Sequence, residues 1–69
     1  MGMKEFKINR SNIDSVEAWC LRYIGPRMFY LHNKIGGQGW VIKHPQSMDA
    51  RIIIEDDNHA LMAMIKFGA

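Results

Sequence analysis

The sequence predicts an α+β domain of order β-α-β-β-β-α, an antiparallel sheet with two helices packed on one face. Three observations predict it. An amphipathic run from Ile13 to Ile24 is closed by Gly25-Pro26. Two apolar, aromatic-rich runs, Met28 to His32 and Trp40 to Lys43, flank the glycine cluster Lys34-Ile35-Gly36-Gly37-Gln38-Gly39. A β-branched stretch, Arg51 to Glu55, precedes a segment rich in helix formers.

The elements follow in order. Lys4 to Ile8 alternates polar and apolar residues, with Phe6 and Ile8 on one side, as a half-buried strand does. Ser11-Asn12-Ile13-Asp14 supplies N-cap candidates and an early carboxylate suited to the helix dipole. On a helical wheel Ile13, Val16, Trp19, Cys20, Tyr23 and Ile24 form one arc, opposite Asp14, Ser15, Ala18 and Arg22. Gly25-Pro26 ends this helix, since proline cannot continue it.

The glycine cluster reads as the turn of a β-hairpin centred on Gly36-Gly37, because glycine reaches tight-turn angles without steric cost. That centre opposes Ile35 to Gln38, Asn33 to Trp40, Leu31 to Ile42 and Phe29 to His44. Phe29, Leu31, Trp40 and Ile42 then face the core, and Tyr30, His32, Val41 and Lys43 face outward. Pro45 to Asp49 is a turn. Arg51 to Glu55 is the next strand, with Ile52 and Ile54 inward and Arg51, Ile53 and Glu55 outward. His59 to Phe67 reads either as an alternating strand or as a helix capped by Asp57 or Asn58 and stopped by Gly68. In the helical reading Ala60, Ala63, Met64 and Phe67 share a face, with His59 and Lys66 opposite. Its Ala, Leu, Met and Lys content favours the helix.

A chain of 69 residues is expected to form one domain spanning 1–69, with Met1-Gly2-Met3 read as a cloning remnant ahead of a native Met3. A domain of this size buries only about 60% of its unfolded surface, so a deep catalytic pocket competes with the core for residues. No run is long enough to span a bilayer. The charged, alternating start does not read as a secretory signal, and the single cysteine, Cys20, excludes an internal disulfide. A reducing cytoplasm is the expected setting. The net charge of +2 is uneven: Arg22, Arg27, Lys34, Lys43 and Arg51 against Asp49 alone put +4 on the middle and leave −2 elsewhere. That is well below the charge of a dedicated nucleic-acid binder.

No catalytic constellation emerges. Gly36-Gly37-Gln38 shares its letters with the GGQ tripeptide of peptide-chain release factors, without their basic, glycine-rich surroundings. A strand follows these glycines, so no helix N-terminus is offered to a phosphate. His32, His44 and His59 lie on different elements without metal-ligand spacing, and Cys20 falls on the apolar helix face. Glu55-Asp56-Asp57 suits helix capping. No metal or cofactor is expected. The candidate site is the open sheet face, with Tyr30, His32, Lys34 and Lys43 of the hairpin beside Arg51 and Ile53 of the next strand. Such a mixture suits a protein partner, or RNA or DNA, through stacking and phosphate contacts. A nuclease or metal enzyme using His32 or His44 is a third reading. Ile53, and Met62 on the last helix, are candidates for self-association into a homo-oligomer.

Two resemblances bear on this. Ile52-Ile53-Ile54-Glu55-Asp56-Asp57-Asn58-His59-Ala60, closing on Ile65-Lys66-Phe67-Gly68, resembles the ending of small uncharacterised accessory proteins of tailed phages. That resemblance implies a non-catalytic, host-directed interaction or counter-defence role. Gly37 to Pro45, GQGWVIKHP, is similar to a strand of HicA-type mRNA interferase toxins, whose fold is like that of double-stranded RNA-binding domains. Gly39 stands where their catalytic histidine would be, and the strand Lys4 to Ile8 is additional. The resemblance therefore implies a shared fold without RNA cleavage.

Overall fold

The computed structural model of the protein describes residues 4–45 and 49–68. The expectations for Met1-Gly2-Met3 and for the middle of the Pro45–Asp49 turn lie outside the described residues. The elements are β1 (Lys4–Ile8), a short 3-10 turn (Arg10–Asn12), α1 (Ile13–Tyr23), β2 (Arg27–Leu31), β3 (Lys34–Gly37), β4 (Trp40–Lys43), β5 (Ala50–Ile54) and α2 (Asp57–Phe67). They form an α+β domain with one antiparallel sheet of order β1-β5-β4-β3-β2. Both helices pack on the same face of it. Among the described residues no helix is long and apolar enough to cross a membrane.

Each helix is fixed by its own polar ends. Asn9 accepts from the Ser11 N–H at 3.0 Å and starts the 3-10 turn that leads into α1. The Ile24 and Gly25 amides both donate to the Cys20 carbonyl, closing α1 ahead of Pro26. The last segment is a helix, as its composition favours, and its cap is Asp56 rather than Asp57 or Asn58. The Asp56 carboxylate accepts from the His59 N–H at 2.9 Å. One carboxylate thereby satisfies an otherwise orphaned amide and meets the positive end of the helix dipole.

The core lies between the helices and one sheet face. Ile8, Ile35, Trp40, Ile42, Ala50, Ile52 and Ile54 of the sheet pack against Val16 and Cys20 of α1 and Ala60, Ala63 and Phe67 of α2. Small residues at 60 and 63 let α2 lie close to the strands. Trp19 sits between the helices, edge-on to both His59 and Phe67. The face assignments for β1, β4 and β5 agree with the alternation in the sequence. Two helical ones do not: Tyr23 and Met64 are 51% and 42% exposed.

The expected hairpin is two hairpins. The chain turns at His32-Asn33 and again at Gln38-Gly39, so Lys34–Gly37 is a strand of its own. Gly39 is the only described residue with a positive φ, at 88°. Gly36 and Gly37 are glycines for a different reason: aromatic rings lie where their side chains would be. A Cβ at Gly36 would meet the Phe29 ring at 2.1 Å, and one at Gly37 would meet the Trp40 ring at 2.2 Å. The pairing becomes Leu31 with Lys34, Tyr30 with Ile35 and Phe29 with Gly36, and then Ile35 with Ile42 and Gly37 with Trp40. Burial of Ile35 against Ile42 selects this register over a turn at Gly36-Gly37. Because side chains alternate, the change reverses the faces of β2. Phe29 and Leu31, expected in the core, lie on the open face. Tyr30, expected outside, lies on the helix side at the sheet edge.

Candidate functional site

The sheet face away from the helices carries two parallel rows of side chains that cross the strands. Cross-strand pairing places Leu31, Lys34, Lys43, Arg51 and Lys7 in one row. Beside it run Phe29, Gly36, Val41, Ile53 and Glu5. Neighbouring strands lie about 4.8 Å apart, so the four cations span roughly 14 Å. The Phe29 ring fills the gap above Gly36 and makes the second row continuous from Phe29 to Ile53.

Two acids partly offset the cations. Arg51 Nε donates to Glu5 Oε2 at 2.9 Å, and Lys43 Nζ is 3.9 Å from the same oxygen. Lys7 Nζ is 3.6 Å from Asp49 Oδ2. Lys34 makes no ion pair among the described residues. Like charges in directly paired positions repel, and Glu5 and Asp49 offset this for Lys43, Arg51 and Lys7, so the Lys34–Lys43 pair is the least compensated.

Of the six residues singled out from the sequence, Lys34, Lys43, Arg51 and Ile53 share this face. Tyr30 and His32 do not. Tyr30 lies on the opposite face under the Arg27 guanidinium, 5.4 Å from its ring centroid, and His32 lies in the β2–β3 turn. Phe29, Leu31, Val41, Glu5 and Lys7 belong to the face and were absent from the expected set. The alternation of Lys4 to Ile8 already placed Glu5 and Lys7 opposite Phe6 and Ile8. What it lacked was the identity of the neighbour, β5, which brings Glu5 to Ile53 and Lys7 to Arg51.

Elsewhere the titratable groups are dispersed. His44 follows β4, and His59 lies in the first turn of α2 beside Trp19. A shallow groove of about 470 Å³ runs between α1 and the end of α2, lined by Trp19, Arg22, Tyr23, Lys66 and Phe67. Cys20 is fully buried in the core. Burial, and secondarily the Glu17 carboxylate, pushes its thiol up to about 12. An unfolded thiol titrates near 8.5. Stability from keeping this thiol protonated is therefore intact below that value and is lost as pH rises toward 12. Iodoacetamide at pH 8 is expected to label Cys20 only as fast as the chain unfolds, at least a hundredfold slower than in urea. Labelling within tenfold of the unfolded rate would contradict that burial.

No family model matches the chain, and no curated protein or solved structure is significantly similar to it.

Proposed function

We propose that the domain is a non-enzymatic interaction module that docks an acidic, partly apolar segment of another protein on its open sheet face. The supporting observation is the row Lys34, Lys43, Arg51, Lys7 lying beside the apolar stripe Phe29, Val41, Ile53. An acidic segment relieves the repulsion along the cations, while its apolar residues cover the stripe. Nucleic acid fits this face less well. Bases stack on aromatic rings, and here Phe29 is the one ring beside two aliphatic side chains. The C-terminal resemblance to tailed-phage accessory proteins supports a role in modulating a host or phage protein. A cytoplasmic setting is part of the same reading.

Three labelled probes test it at 50 mM and 200 mM salt: an alternating Glu/Leu peptide, a Ser/Leu control and a twelve-nucleotide oligouridine. The acidic peptide is expected to bind at least tenfold more tightly than either other probe, weakening as salt screens the row. Lys34→Glu with Lys43→Glu should lower its affinity tenfold or more, with an unchanged circular dichroism spectrum. Tighter binding of oligouridine would move the assignment to RNA. No binding of any probe would overturn both.

A further inference from the structure

We infer that the free edge strand β2 pairs antiparallel with β2 of a second copy, joining two five-stranded sheets into one of ten strands. The two edges of the sheet differ in a way that points to this. β1 carries Lys4, Glu5 and Lys7, the kind of charged edge that resists strand addition. β2 carries Met28, Phe29, Tyr30 and Leu31, and all five of its residues are exposed. An unpaired strand also presents alternate backbone N–H and C=O groups outward, each seeking a partner. One edge is charged along its length; the other carries a register shift between Arg27 and Phe29 and is uncharged from Met28 to Leu31.

The chemistry of β2 selects a copy of itself as occupant. The strand has no acid, and its one cation is engaged: Arg27 Nη1 donates to Glu17 Oε2 at 3.0 Å. A neutral, apolar strand is its complement, and among the described strands β2 alone combines an open edge with that composition. β2 shifts register between Arg27 and Phe29, so its regular edge is Phe29 to Leu31, and a two-fold axis at Tyr30 sets Tyr30 against its own copy and Phe29 against Leu31. No like charges meet. On the open face the apolar stripe of each copy, Ile53-Val41-Phe29, then ends on Leu31 of the other. This pairing does not depend on what the open face binds.

The exposed surface of one strand supplies on the order of 400 Å² per copy, about half of a standard interface. An interface of that size falls in the weak, transient class, so sedimentation velocity from 5 to 500 µM is the direct test. The sedimentation coefficient is expected to rise from that of one chain to that of two across this range. Met28→Lys with Leu31→Lys should keep the chain monomeric throughout, because cations along an edge strand resist strand addition. Lys4→Ser at the opposite edge should change nothing. Tyr30→Cys should form an interchain disulfide under mild oxidation, since buried Cys20 does not compete. A wild-type chain that stays single at 500 µM overturns the inference. So does association that survives Met28→Lys with Leu31→Lys but is lost on Leu61→Lys with Ile65→Lys, which would assign the interface to α2. Association without a Tyr30→Cys cross-link, in a variant that still associates, rejects the two-fold register.

Discussion

Trp40→Ala is expected to leave the chain without a cooperative unfolding transition at 25 °C. The Trp40 side chain is 2% exposed, lies over Gly37 and donates its Nε1–H to the Gly25 carbonyl at 3.0 Å. It thus ties β4, β3 and the end of α1 into one unit. Truncating a buried tryptophan to alanine costs about 3–5 kcal/mol, from lost apolar burial and the cavity left behind. Stability of roughly 0.05–0.15 kcal/mol per residue gives a domain of this size about 3–10 kcal/mol in all. The substitution therefore removes about a third of it at the least, and all of it if the total lies at the lower end. Trp40→Phe keeps much of the ring volume and leaves the Gly25 carbonyl without its donor, at a cost of about 1–3 kcal/mol. Urea titrations followed by circular dichroism separate the two variants. A midpoint for Trp40→Ala equal to that of Trp40→Phe would show that the ring is not the keystone of this core.

The adjacent glycines should respond very differently to the same methyl group. A Cβ at position 37 meets a buried ring pinned by its hydrogen bond, so Trp40 must move or the strands must part. Overpacking of that kind costs about 1–3 kcal/mol. At position 36 the obstructing atoms are the tip of the Phe29 ring, on a side chain 41% exposed at the sheet edge, which can swing into solvent. Gly36→Ala is therefore expected to cost less than about 1 kcal/mol, partly offset by the better strand behaviour of alanine. Its effect falls instead on the open face, where the displaced ring breaks the apolar stripe. Urea midpoints for the two variants, with the Phe29 ring signals by NMR, test the contrast. Equal stability losses would refute it.

Local signals made both helices legible. Gly25-Pro26 stopped α1 where the backbone ends, and small or apolar residues at 60, 63 and 67 marked the buried side of α2. The outward pair Arg51 and Ile53 was equally readable from alternation. The middle of the sheet was not, because glycine has two physical uses that look alike in a sequence. At Gly39 it supplies a positive φ. At Gly36 and Gly37 it supplies empty space beneath a ring. Only the burial of Ile35 against Ile42 tells them apart, and that is a tertiary fact. One misplaced turn then carried Phe29, Leu31 and Tyr30 to the wrong faces together, and with them part of the candidate site.

The position of β5 between β1 and β4 also sets the order in which this chain can assemble. The β2–β3–β4 meander closes through two tight turns and, with α1 beside it, needs only nearby residues. β1 is made first yet has no neighbour until β5 exists, as the Glu5–Arg51 contact across 46 positions shows. Closing so long a loop is entropically slow and comes late. During synthesis the first strand therefore waits through most of the chain with Phe6 and Ile8 unburied. The charges on Lys4, Glu5 and Lys7 that guard the finished edge also keep that waiting segment from pairing with the wrong strand.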